Sequence, residues 1–92
     1  MLKLELETKF KRDYKRMVKR GADMAKLDEV IEHYLLPQKP LPPKYRDHAL
    51  AGNYKGYRDC HIEPDWVLIY KVDGDRLVLV LSETGTHADL LE

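Results

Sequence analysis

Three histidines and two aspartates carry most of the chemistry this sequence can offer. His48, His61 and His87 each stand among polar neighbours, and Asp59 and Asp65 flank His61. An unperturbed imidazole titrates near pH ~6.5, so it can give and take protons at neutral pH. Cutting a ribose-phosphate chain without a metal needs that ability. A base takes the proton from the 2′-hydroxyl, an acid protonates the leaving 5′-oxygen, and positive charge steadies the phosphorane. Several histidines and a carboxylate are a sufficient set. Taken singly, each histidine is more often a surface or hydrogen-bonded structural residue. Three histidines and an aspartate are also zinc ligands, but the close ligand pairs of zinc motifs are missing. The expectation is therefore no metal and no cofactor. The fourth histidine, His33, falls on a helix and outside the set.

The elements that must hold these residues follow from periodicity. Leu2, Leu4 and Leu6 alternate with Lys3, Glu5 and Glu7, which predicts a strand with one buried face. Thr8 is placed to cap a helix with Phe10, Tyr14, Met17 and Val18 at helical spacing, and Gly21 ends it. Asp23 is placed to cap a second helix with the stripe Met24, Leu27, Val30, Ile31, Tyr34 and Leu35, which predicts an antiparallel helix hairpin. Pro37, Pro40, Pro42 and Pro43 then make a stiff connector. Strands are predicted from Tyr57 to Glu63, Trp66 to Val72 and Arg76 to Ser82, joined at Pro64-Asp65 and Asp73-Gly74 into an antiparallel meander. Alternation puts Tyr57, Asp59 and His61 on one side of the first of these strands and Cys60 and Ile62 on the other. A single helical turn is predicted from His87 to Leu91. The fold class is α+β: a twisted sheet with a helix pair on one face and the other face available.

Composition narrows the function classes. Ninety-two residues predict one domain over 1–92, too small for a deep ligand cavity. The single cysteine, Cys60, excludes an internal disulfide and fits a small buried thiol in a reducing compartment. No secretory leader is read at the start, and no apolar run approaches the ~20 residues of a membrane span. A cytoplasmic protein is expected. Net charge is zero, yet Lys9, Lys11, Arg12, Lys15, Arg16, Lys19 and Arg20 crowd one helix against a single acid, Asp13. That strip is either a solvated face or a phosphate-contacting one. Trp66 could stack on a base or anchor the core.

Two stretches then make a family visible. Tyr45-Arg46-Asp47-His48-Ala49-Leu50 is followed by Gly52-Asn53-Tyr54-Lys55-Gly56-Tyr57-Arg58-Asp59-Cys60-His61-Ile62-Glu63-Pro64-Asp65-Trp66. With the closing Thr84-Gly85-Thr86-His87-Ala88-Asp89-Leu90, these runs strongly resemble the YafQ-type toxins of the RelE/ParE superfamily. The resemblance covers essentially the whole chain, and its fold agrees with the predicted element order. It implies a ribosome-dependent mRNA endonuclease that cuts the codon in the A site. It also implies a cognate antitoxin of the DinJ/RelB-like, ribbon-helix-helix kind, through which alone operator DNA would be bound. The family's catalytic positions fall on His48, His61, Asp65 and His87, and Asp59 and Trp66 match further site positions. His87 is expected as general acid, with Asp65 and His48 or His61 on the base side.

Two departures bear on activity. Glu83 stands where the family usually has an arginine, and Leu91 replaces its terminal phenylalanine. An arginine would hold the scissile phosphate and a glutamate would repel it. Arg46, Lys55 or Arg58 takes over that charge, or the chain is weakened, or the exchange was introduced to tame a lethal protein. The rival readings are a catalytically silent binding protein and a gyrase-directed ParE-like toxin, although that branch lacks this histidine set.

Overall fold

The alternating leucines do make a strand, β1 (Lys3–Leu6), but its leucine side stays open. Leu2 is buried, whereas Leu4 and Leu6 line an apolar groove with Phe10, Tyr14, Ile31 and Leu36. The computed structural model describes residues 1–90. Helix α1 runs Thr8–Lys19, and Glu7, not Thr8, holds the capping position, without a side-chain cap bond. Gly21, at φ 79°, takes the left-handed turn that ends the helix, while Ala22 N–H donates to Met17 O. The buried stripe of α1 is Phe10, Asp13 and Met17. Val18, expected in that stripe, is exposed. Asp13 takes its share of the buried face because its carboxylate accepts from Thr84 N–H and pairs with Lys9 and Arg16.

Helix α2 (Met24–Val30) starts after Asp23, again without a side-chain cap bond, and runs on into a wider π turn at Ile31–Leu35. The proline connector leads through a turn at Pro43–Tyr45 to a strand that periodicity did not reveal, β2 (His48–Ala49). Two residues are too few to show alternation. The meander follows as β3 (Arg58–Glu63), β4 (Trp66–Asp73) and β5 (Val78–Gly85), and α3 (His87–Leu90) closes the described chain. The β4–β5 connection is longer than the predicted tight turn. Asp73 Oδ1 accepts from Arg76 N–H and Leu77 adopts φ 56°, so β5 begins at Val78 and ends at Gly85.

The sheet order is β1-β5-β4-β3-β2, antiparallel except where β1 runs parallel to β5. Its helix side buries Cys60, Ile62, Trp66, Leu68, Tyr70, Leu79 and Leu81 against Phe10, Met17, Leu27 and Val30. Burying a side chain of this size removes about 1.5–3 kcal/mol worth of apolar surface from water. The second side is not bare. Val67, Ile69 and Val80 are buried there, and Tyr54 and Tyr57 reach over it to Glu83 and Glu7.

Candidate active site

Sheet register assembles the site. His48 pairs with Asp59, Asp59 with Ile69 and Ile69 with Glu83, so these four share one row on the second face. The next row runs from His61 through Val67 to Gly85. A bulge where Ile69 and Tyr70 meet Leu81 and Glu83 shifts the register and turns Glu83 and Gly85 onto this face.

Beyond Gly85 the chain lifts over the sheet and brings His87 beside His61, with ring centroids 5.4 Å apart. His87 is pinned from two sides. Asp65, in the β3–β4 turn, accepts from its Nδ1 at 2.7 Å and from its backbone N–H at 3.2 Å. Those two bonds hold the Asp65 carboxyl below the usual carboxylate range. The helix carrying His87 is anchored through Asp89, which accepts from Thr86 N–H while its own N–H donates to Thr86 Oγ1. This reciprocal cap has the spacing of a capping box. Arg20, at the end of α1, adds a two-pronged contact to Asp89 at 2.5 and 2.9 Å, which draws the Asp89 carboxyl well below its ordinary range. Gly85 allows this approach: a Cβ there would stand 2.9 Å from Asp89 Oδ2.

Asp59 is buried between two imidazoles. Its Oδ1 lies 3.5 Å from His48 Nδ1 and 3.8 Å from His61 Nε2, and it has no hydrogen-bond partner among the described residues. His48 Nδ1 donates to Arg46 O at 2.8 Å, and His61 Nδ1 donates to Pro64 O at 3.3 Å. A carbonyl oxygen can only accept, so both Nδ1 atoms carry a proton and both Nε2 atoms are left for chemistry. A groove of about 600 Å³ opens beside His61, with Lys26, Lys44 and Arg46 on its walls. Among the described residues, no group of three or more His, Cys, Asp or Glu is arranged to hold a metal ion.

This fold recurs in known proteins. Residues 2–92 match the family described as "Bacterial toxin of type II toxin-antitoxin system, YafQ". The chain belongs to the YafQ toxin family. It is 46% identical over 87 residues to the mRNA interferase toxin YafQ of Escherichia coli K12, covering 95% of this chain and 92% of that one. It superposes on the toxin of the E. coli DinJ–YafQ complex with a TM-score of 0.89 at 41% identity, covering all of both chains. A metal-bound toxin from Helicobacter pylori gives a TM-score of 0.90 at 40% identity, covering 98% of this chain and 99% of the other.

Of the YafQ-type positions expected from the sequence, His48, Asp59, His61, Asp65 and His87 come together on one face. Trp66 does not join them. It is buried on the helix side with its indole N–H donating to Thr84 Oγ1 at 2.9 Å, so no base can stack on it. Arg58 also points to the helix side, where Asp47 accepts from it at 3.0 Å and Asp47 in turn accepts from the Tyr70 hydroxyl. Lys55 is exposed at the tip of the segment before β3. Leu91 lies outside the described residues. Glu83 is buried on the site face, where its Oε2 accepts from the Tyr54 hydroxyl at 2.8 Å and its Oε1 lies 3.4 Å from Lys9 Nζ. The contacts of Lys9, Tyr54 and Arg20 escaped sequence reading because each joins elements far apart in the chain. The Thr86–Asp89 cap was signalled by its spacing.

Proposed function

We propose that this chain is the toxin of a type II toxin–antitoxin pair and cuts mRNA in the ribosomal A site, with His87 as general acid and His61 as general base. The observation that carries this reading is the facing pair of imidazoles, His61 and His87, 5.4 Å apart, with Asp65 fixed on one of them. Two proton-transfer groups on either side of one phosphodiester are what an in-line 2′-hydroxyl attack requires. His61 takes the 2′-hydroxyl proton at Nε2, and the imidazolium so formed is steadied by the buried Asp59 carboxylate. His87, its Nδ1–H held by Asp65, donates from Nε2 to the leaving 5′-oxygen. Asp65 itself is a weak base, since its carboxyl is held below the ordinary range. It therefore acts as the group that orients His87. His48, the third imidazole of the row, completes the positive surface toward the phosphate when protonated.

The direct test is to express the chain and map new 5′ ends on translated mRNA, with and without ribosomes. Cuts within the reading frame that need the ribosome support the proposal, and intact mRNA overturns it. A chain that binds ribosomes without cutting would be the silent relative that Glu83, a carboxylate on the site face, favours. The chemistry above uses the chain's own groups. Stoichiometric zinc or another transition metal in the purified protein, measured by elemental analysis, would replace it.

The partner in this reading is an antitoxin of the DinJ kind, with a segment that folds on binding and covers the basic helix or the histidine face. Operator DNA is reached only through that partner. Hydrogen exchange without protection at either place in the complex would count against it. Among the described residues no helix is long and apolar enough to cross a membrane, and we place the protein in the cytoplasm with the ribosomes it would act on.

A further inference from the structure

We infer that the Lys9 ammonium binds a phosphate of the substrate strand, and that Glu83 is its internal counter-ion, which mutes it until RNA arrives. The inference rests on the RNA-cleaving reading and adds a binding group to it. Lys9 leaves the basic strip of α1 and places its ammonium against the second face of the sheet, between Asp13 at 3.1 Å and Glu83 at 3.4 Å. Glu83 stands in the row of Asp59 and His48, and two residues further along β5 Gly85 stands in the row of His61. Two residues of strand span about 7 Å and β5 lies two strand spacings, roughly 10 Å, from β3, so an RNA strand crossing this face reaches both the ammonium and the imidazoles.

The charges explain why this cation is muted. Lys9 and Arg16 oppose Asp13 and Glu83, and the four together are neutral. The two carboxylates hold Lys9 differently. Asp13 also accepts from Thr84 N–H and pairs with Arg16 at 3.0 Å, so it is built into the fold. Glu83 Oε1 is buried and has no hydrogen-bond donor, facing the ammonium at a distance longer than the about 2.7–2.9 Å of a good charge-assisted bond. A phosphate oxygen can therefore replace Glu83 as the third-side partner of Lys9 while Asp13 and Tyr54 keep their bonds. Two other cations of the sheet are turned elsewhere: Arg58 is held by Asp47 on the helix side, and Lys71 lies over the Tyr57 ring.

The test is a double-mutant cycle on single-turnover cleavage of ribosome-bound mRNA, using Lys9→Met, Glu83→Gln and the two together, with Lys9→Arg as the conservative variant. Lys9→Met should lower kcat/KM about tenfold and flatten its log–log salt dependence by roughly 0.7, the signature of one lost phosphate contact on a single strand. Lys9→Arg should restore most of the loss, and melting curves separate it from an unfolded helix. Glu83→Gln should raise kcat/KM, and that gain should vanish in the double variant. A gain that persists without Lys9 overturns the inference, because Glu83 would then repel phosphate directly. Cleavage by Lys9→Met at the wild-type rate also overturns it. If the wild-type chain leaves mRNA intact, the cleavage reading fails separately. The Lys9 ammonium resonance, followed while a single-stranded RNA oligomer with 2′-O-methyl riboses is added, then decides. A shift that grows in Glu83→Gln supports phosphate binding, and an unmoved resonance in both chains ends it.

Discussion

Asp59 and Glu83 lie in the same cross-strand row, on the same face, on either side of Ile69, and both are buried. Their neighbours differ. Asp59 looks onto the imidazoles of His48 and His61, whereas Glu83 looks onto the Lys9 ammonium and the Tyr54 hydroxyl. A carboxylate beside imidazoles can support proton transfer. The same group beside an ammonium and a phenol can only bind and neutralise. Both are buried carboxylates, so the chemistry is decided by the groups each one meets.

The contrast can be broken at its catalytic end first. His87→Ala should slow single-turnover cleavage by about 10²–10⁴, the usual range for one proton-transfer group, with ribosome binding little changed. Cleavage at the wild-type rate would remove His87 from the mechanism. Asp59→Asn keeps the shape and removes the charge between His48 and His61. It should slow cleavage by about tenfold to a hundredfold without weakening ribosome binding. An equal loss in binding would make Asp59 a fold residue only.

At the other end the sign reverses. Glu83→Arg should speed cleavage by about tenfold, with Glu83→Ala in between, since the alanine only removes the counter-ion of Lys9 while the arginine also adds a cation beside it. A slower Glu83→Arg enzyme would show that the Tyr54 bond matters more than the charge. The smallest effect concerns Arg20 and Asp89. The Asp89 carboxyl is depressed by Arg20, so its stabilising contribution is present above the ordinary carboxylate value of about 3.9 and is lost as pH falls below that toward the lowered value. The Asp89 side-chain carboxyl signals should therefore hold constant down to about pH 4 in the native chain. In Arg20→Ala they should drift at a higher pH, with only a small fall in melting temperature because the pair is exposed. Identical titrations would release α3 from this anchor.

These two carboxylates also mark how far the sequence could be read. Asp59 and His61 were legible as a polar side of β3 because strand alternation is local, and the same alternation placed Cys60 and Ile62 in the core. Burial there pushes the Cys60 thiol well up, out of thiolate chemistry. The partner of Glu83 was not legible, since Lys9 lies on another element more than seventy positions away. Asp13 shows the same limit. Its type argued for solvent and Val18 argued for core, yet three polar partners reversed the two. The strand β2 was missed for its shortness, and the late start of β5 because a left-handed Leu77 has no signature in a sequence.

The parallel pairing of β1 with β5 has a consequence in time. Lys3 pairs with Val78 and Leu6 with Leu81, so β1 has no partner until β5, more than seventy positions further along, has been made. Contacts of such sequence separation form late and slowly. The β5 strand they await is also the one whose end delivers Gly85, Thr86 and His87 to the site. A chain without β5 therefore lacks both the partner of β1 and the segment that sets His87 beside His61, so the two are completed together.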